Sequence, residues 1–299
     1  MKRFMRWLAY AAGLLVVLLG AAAGFVYSAS NSKANQLYDV PLQHVTVTND
    51  SATVARGQHM TIAIGKCVEC HGDDLGGTVM IDDPGLGVAV APNITSGGRL
   101  AEYSDDELVR VIRHGVKRDG RSAFIMPSDD YQYFTDADVG AVVAYLRSVP
   151  AVTRDLGVSK LRPVGRTLVA TNLLPAYSAA RVDHTRPSVP TMTEDSSLAY
   201  GEYLANVGGC TGCHGPNLSG GPIPGMPPEA PPASNLTPTG IAKYSDAQVE
   251  AILRTGKRPD GSELKKEMPW RFTAMMTPLE MQATLRYLRS VPAKEFGAR

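Results

Sequence analysis

Four cysteines and two histidines stand in two runs of one pattern, Cys67-Val68-Glu69-Cys70-His71 and Cys210-Thr211-Gly212-Cys213-His214. Two thiols three residues apart on one helical turn can each form a thioether to a vinyl group of haem. The histidine next in line then lies under the iron as its proximal ligand. The runs hold all four cysteines of the chain, so no thiol is left over. The pattern reads as two covalently bound haem c groups, attached through Cys67, Cys70, Cys210 and Cys213, with His71 and His214 on the irons. Two other chemistries use Cys-x-x-Cys. A zinc ribbon also has two such pairs, but usually closer together, and a redox dithiol needs only one. Here Cys70 and Cys210 are 140 residues apart, and a histidine follows each pair directly.

A distal ligand is needed on each iron, and internal repetition points to it. Met126 and Met268 are 142 residues apart, and each is followed by proline. They lie 55 residues past His71 and 54 past His214. A thioether is a soft, neutral ligand, and His/Met ligation raises the reduction potential of haem. Methionine is more often core filler. Met80, Met226, Met275 and Met276 compete, but Met226 is only 12 residues past His214 and has no counterpart in the other half. His44, His59, His114 and His184 stand outside the motifs. Thr255 falls opposite His114 and Tyr203 opposite His59, so neither histidine recurs. Each reads as an ordinary polar residue.

The elements that must position these groups also repeat. Tyr103-Ser104-Asp105 recurs as Tyr244-Ser245-Asp246, Asn93-Ile94-Thr95 as Asn235-Leu236-Thr237, and Tyr145-Leu146-Arg147-Ser148-Val149-Pro150 as Tyr287-Leu288-Arg289-Ser290-Val291-Pro292. The chain therefore divides into an anchor (residues 1–30), a linker (31–54), a first domain (55–151), a connecting strap (152–198) and a second domain (199–299). Capping boxes at Ser104/Glu107, Ser245/Gln248 and Thr277/Glu280 open helices over Asp105–His114, Asp246–Thr255 and up to about Ser290. Val139, Val142, Val143 and Leu146 have helical spacing in a helix from Asp136 to about Ser148. Further helices are expected near Thr53–Ile64 and Leu198–Val207, ahead of the cysteines. No alternating run marks a strand, and Gly72–Gly98 and Gly215–Gly240 read as Gly- and Pro-rich loops wrapping a haem edge. The fold class is all-α. The strap is expected to be ordered across both domains, with its arginines available to haem propionates.

Lys2, Arg3 and Arg6 precede an uncharged apolar stretch from Trp7 to Tyr27. At 1.5 Å per residue it reaches roughly 31 Å, one bilayer crossing. The basic flank puts the N-terminus in the cytoplasm and the rest of the chain outside. A cleaved signal peptide is the competing reading, and both export the chain. The expected place is the inner (cytoplasmic) membrane, single-pass, with the haem domains in the periplasm. Residues 55–150 carry 9 basic and 14 acidic side chains, a net of −5, and residues 199–299 carry 11 and 9, a net of +2. No basic field marks a nucleic-acid partner.

On these residues the chain resembles a membrane-anchored dihaem cytochrome c, two class I cytochrome c domains in tandem behind a transmembrane helix. The resemblance covers residues 55–150 and 199–293. In that family a glycine of the first helix packs on an aromatic of the last, and Gly57 with Tyr145 and Gly201 with Tyr287 fit. The strap ending Arg181-Val182-Asp183-His184 resembles cytochrome subunits of bacterial membrane-bound alcohol and aldehyde dehydrogenases, which usually carry three haems where this chain has motifs for two. The resemblance implies electron transfer on the periplasmic side, with no catalytic residue. Electrons would pass to or from redox partners such as a dehydrogenase, a quinol-oxidising complex, a terminal oxidase or a reaction centre. The alternatives are a haem-bearing subunit of a larger complex and a dihaem oxidoreductase, which would need one haem with a displaceable ligand.

Overall fold

Side-chain caps set the helix starts. Ser104 Oγ accepts the Glu107 amide at 3.2 Å while the Glu107 carboxylate accepts the Ser104 amide at 2.8 Å. Ser245 with Gln248, and Thr277 with Glu280, close the same reciprocal box. In a computed structural model that describes residues 1–298, these caps open α4 (Asp105–His114), α11 (Asp246–Thr255) and α13 (Pro278–Ser290). Glycine in the left-handed region, Gly115 and Gly256, ends α4 and α11. The remaining long helices are α1 (Lys2–Asn35), α2 (Ser51–His59), α6 (Asp136–Ser148), α7 (Pro163–Ala170) and α8 (Leu198–Val207). A π-helical turn, Met60–Ile64, continues α2. Single turns make up the rest: α3 (Cys67–His71), α5 (Ser128–Tyr131), α9 (Cys210–His214), α10 (Pro238–Ile241) and α12 (Trp270–Thr273).

The fold is mostly helical, with one departure from the expected loops. Within Gly72–Gly98 lies an antiparallel hairpin, β1 (Thr78–Asp83) with β2 (Gly87–Ala91), and the strap adds β3 (Lys160–Leu161) to its edge. In β2, Gly87, Ala89 and Ala91 are buried and Val88 and Val90 half-buried. The alternation is of side-chain size, not polarity, and a bulge between Val79 and Ile81 breaks the register of β1. A polarity pattern could not mark either strand.

In each domain the first and last long helices cross at a glycine. A Cβ on Gly57 would stand 1.9 Å from the Ala141 carbonyl oxygen and 2.9 Å from Tyr145 Cβ. A Cβ on Gly201 would stand 2.1 Å from the Ala283 oxygen and 2.7 Å from Tyr287 Cβ. The expected glycine–aromatic contact is thus present twice, and it lets two backbones touch.

One apolar core runs through both domains. Met60, Ile64, Val109, Val139, Val142 and Val143 of the first half pack in the same cluster as Tyr200, Leu204, Val207, Met281 and Leu285 of the second. Charged groups cross the same boundary. His59 Nε2 meets the Glu280 carboxylate at 2.8 Å, and Tyr203 donates its hydroxyl to Asp138 at 2.5 Å. Arg56 bridges Asp138 at 2.8 Å, Glu280 at 3.5 Å and Glu194 at 3.4 Å. Burial works against the Arg56 charge, but Asp138 outweighs it and raises the Arg56 pKa.

The strap lies mainly on the first domain and on α1. Lys33 donates to the Val169 carbonyl at 2.7 Å, and the Arg166 guanidinium stacks on Tyr27 at 4.8 Å. Its arginines have protein partners: Arg154 with Asp74, Arg181 with Asp129, and Arg186 over Tyr133. The most apolar window of helix α1 is unburied, with a mean hydropathy of 2.2, and among the described residues α1 alone is long and apolar enough to cross a membrane.

Candidate functional site

Each cysteine motif is a single helical turn with a left-handed residue before it. Lys66, at φ 54°, leads into α3, and Gly209, at φ 70°, leads into α9. Such a residue turns the chain sharply from the preceding helix, so that the two thiols and the histidine share one turn. Glycine takes the geometry without strain. Lys66 takes it while donating its ammonium to the Gly208 carbonyl, in the chain immediately before the other motif. The two motif entrances therefore face each other across the domain boundary.

The histidine rings are held from behind. His71 Nδ1 donates to the Pro92 carbonyl at 2.8 Å, and His214 Nδ1 donates to the Ser234 carbonyl at 2.6 Å. A ring with its proton on Nδ1 carries its lone pair on Nε2, the tautomer and orientation a metal needs. Burial lowers the pKa of His71, with the Pro92 contact acting in opposition, which keeps the imidazole neutral. Cys67, Cys70 and Cys210 are not redox thiolates: burial first, then Cys70, pushes Cys67 up to about 12, and burial pushes Cys70 up to about 11. Burial also raises Cys210. A reactive dithiol needs the opposite shift. Among the described residues no three or more His, Cys, Asp or Glu are arranged to hold a metal ion, so the two pairs do not build a ribbon-type zinc site. Two imidazoles held in one tautomer, with His71 neutral, beside paired thiols on one turn, of which Cys67, Cys70 and Cys210 have a raised pKa, fit haem c.

Met126 and Met268 occupy matching places. Each is half-buried, each is followed by proline, and each leads into a one-turn helix, α5 or α12. The amide of Ser128 donates to the Met126 carbonyl at 2.9 Å, and that of Trp270 to the Met268 carbonyl at 2.8 Å. Met126 and Cys67 border the same core cluster, and the Tyr131 hydroxyl, on α5, donates to the Gly65 carbonyl just ahead of the motif. Cys210 borders a separate small cluster of Leu218, Ile241 and Leu288 in its own domain. The competing side chains are placed differently. Met276 is in the core, Met80, Met226 and Met275 are exposed, His59 is taken by Glu280, and His44 by Asp106 at 3.2 Å. His114 and His184 face each other, Nδ1 to Nδ1, at 3.2 Å.

The one-turn helix after each methionine reaches across to the other domain. A Cβ on Gly209 or Gly212 would come within 3.1 Å of Asp130 Oδ2, so Asp130 lies against the second motif. Arg271, Phe272 and Met275 line a cleft of about 280 Å³ with Ile62, Val68 and Asp73, beside the first. Sequence reasoning did not find Asp130 or Lys66, because Phe272 and Gly209 stand at their repeat positions. It found the repeated segments without their roles. Arg147 binds Asp105 and the carbonyls of Leu100 and Tyr103, and Arg289 binds Asp246 and the carbonyls of Ile241 and Tyr244. Asn93 donates to the Val152 carbonyl at 2.6 Å, and Asn235 to that of Lys294 at 2.8 Å. These pairs tie the loop behind each histidine to the exit of the last helix.

Comparison with known proteins agrees with this arrangement. The family described as cytochrome c oxidase, cbb3-type, subunit III matches residues 52–146, and the family described as cytochrome c matches residues 198–292. The fructose dehydrogenase cytochrome subunit of Gluconobacter japonicus is 26% identical over 291 residues, which cover 85% of this chain and 56% of that one. The cytochrome c subunit of alcohol dehydrogenase (quinone) from Gluconobacter oxydans (strain 621H) is 26% identical over 278 residues, 83% of this chain and 56% of its own. The gluconate 2-dehydrogenase cytochrome c subunit of Pantoea cypripedii is 26% identical over 279 residues, 82% and 61%. The chain thus spans a little over half the length of these relatives. Two cytochrome c domains in tandem, behind an N-terminal apolar helix, make this chain a homologue of the cytochrome subunits of bacterial dehydrogenases.

Proposed function

We propose that the protein is a dihaem electron-transfer subunit, held by α1 on the periplasmic face of the inner membrane, that relays electrons from a dehydrogenase to a further acceptor. One observation carries the relay: the two Cys-x-x-Cys-His turns enter side by side at a shared core, with Lys66 on the Gly208 carbonyl. Haem c, when bound, supplies a one-electron couple. The chain does the rest. Cys67, Cys70, Cys210 and Cys213 would attach the haem, and His71 and His214, oriented by the Pro92 and Ser234 carbonyls, would ligate the irons. Met126 and Met268 would supply the second ligand to each iron, so no substrate site is expected. Core residues such as Met60, Leu75 and Phe134 keep water away. A dehydrogenase partner is supported by the names of the relatives, and the anchor by the length and apolarity of α1.

The test is a count. The full-length protein should keep its haem through acid-acetone extraction and contain two irons per chain. One iron, or zinc in its place, contradicts the reading. Co-purification of a dehydrogenase from mild detergent supports the proposed partner, and isolation with an oxidase alone overturns it.

A further inference from the structure

The two methionine loops match in sequence, but the molecule does not hold them in the same way. The first is bracketed by the strap on both sides of Met126. Ahead of it, Ser122 Oγ accepts the Ala179 amide at 3.1 Å, and the Ile125 amide donates to the Ala176 carbonyl at 2.6 Å. Phe124 pairs with Tyr177 as an antiparallel bridge, their rings 5.6 Å apart. After it, the Arg181 guanidinium forks onto both oxygens of Asp129, at 3.0 and 3.1 Å. Ala176, Ser178 and Ala179 are buried in making these contacts. The need for them is visible in the backbone. Ile125, a β-branched residue next to Met126, sits at φ 60°, a conformation that persists only where surroundings impose it.

Among the described residues the strap makes no such contact with the second loop, and only the turn after Met268, with Arg271 and Phe272, faces the first domain. The hydrogen bonds of Leu264–Trp270 are made within the second domain: Leu264 to Gly256, Met268 to Lys265 and Trp270 to Met268. Lys265 and Lys266, just ahead of Met268, are exposed, and no residue of the loop has a positive φ except Gly261 at its tip.

We infer that the strap is a clamp on the first methionine loop, with Ala176, Tyr177 and Arg181 as positioning residues, and that the second methionine is by design the more easily displaced. The inference rests on Met126 and Met268 being the distal ligands. A methionine leaves iron only when its loop opens, and local opening is governed by the contacts that must break. The strap adds two hydrogen bonds and a forked ion pair to the first loop. Losing the equivalent of one to two net hydrogen bonds changes an opening equilibrium by about tenfold.

The experiment is an imidazole titration of the oxidised full-length protein in detergent, reading the near-infrared band of sulfur–iron ligation. Half the band should disappear at low imidazole and half at a concentration about tenfold higher. In Met268→His the low step should be missing, and in Met126→His the high step. Tyr177→Ala and Arg181→Ala should each move the high step toward the low one, and Tyr177→Phe should leave it in place. Hydrogen exchange read in the same samples should show the Ile125 amide protected in the parent protein and released in Tyr177→Ala. A single step, loss of Met126 first, or strap variants that change neither step nor exchange would overturn the clamp. If neither His variant removes half of the band, the ligand assignment itself fails, and the inference with it.

Discussion

Asp130 is where position changes a residue's chemistry most. It sits between the entrance of the first motif and the glycines of the second. Burial, with Asp129 adding to it, pushes its carboxyl from 3.8 up to about 7, and Lys66 and Arg181 only partly oppose this. Between those two values the folded protein holds a proton that the unfolded chain has released. Stability should therefore fall as pH rises from about 4 to about 7. Asp130→Asn should flatten that slope, which denaturant midpoints at pH 4.5 and pH 7.5 will read; an unchanged slope removes Asp130 as the cause. The proposed axial methionines make a second residue-scale prediction. Met126→His and Met268→His should each lower one haem potential, because imidazole favours ferric iron more than thioether does. Potentiometric titration checks it, and two unshifted haems count against both assignments. The matching places of the two motif turns and of Met126 and Met268 were legible in sequence because type, spacing and repetition agreed, while their roles as ligands are a proposal. Asp130 was not, since its setting, Ser-Asp-Asp-Tyr, reads as an ordinary helix start and what buries it is the other domain.

At the scale of elements, the long helices of the two domains were legible to within a residue or two, because caps and apolar spacing are local, whereas α7 in the strap was not expected. The hairpin was not, because β2 alternates small with large apolar side chains in a Gly-rich stretch. The turns α5 and α12, too short for a periodic signal, were also missed, and they carry the contacts between domains. The glycine crossings permit a direct test. Gly57→Ala and Gly201→Ala each drive a methyl to about 2 Å from a main-chain oxygen. Overpacking of this kind costs about 1–3 kcal/mol, and here backbone must move. Each variant should lose at least that much stability by denaturant titration, whereas Gly13→Ala, whose Cβ meets nothing within 4 Å, should lose none from contact. Equal behaviour of Gly57→Ala and Gly13→Ala would show that the crossings are not tight.

At the scale of the molecule, the sequence repeat reads as two beads on a strap, and the structure joins them into one core with a buried charge cluster. Glu280 stands at the centre of that cluster, only 2% exposed. Burial pushes its pKa up, but His59, the Thr277 amide and Arg56 outweigh this and hold it low. Glu280→Ala removes a cap and leaves Arg56 and His59 facing a gap. Breaking a buried pair in this way costs about 3–5 kcal/mol. The two domains should then unfold in separate transitions where the parent shows one; a single unshifted transition would argue against a shared core.

The shared core matters because it holds the two motif entrances together, with Lys66 on the Gly208 carbonyl, and the proposed relay depends on that. Pulsed injection of less than one electron per chain into the full-length protein, followed by haem absorbance, measures the relay directly. Redistribution between the haems should be a first-order phase whose rate is unchanged when the protein is diluted tenfold. A redistribution that slows in proportion to dilution, or none at all, would mean that electrons pass only between molecules and would contradict the account.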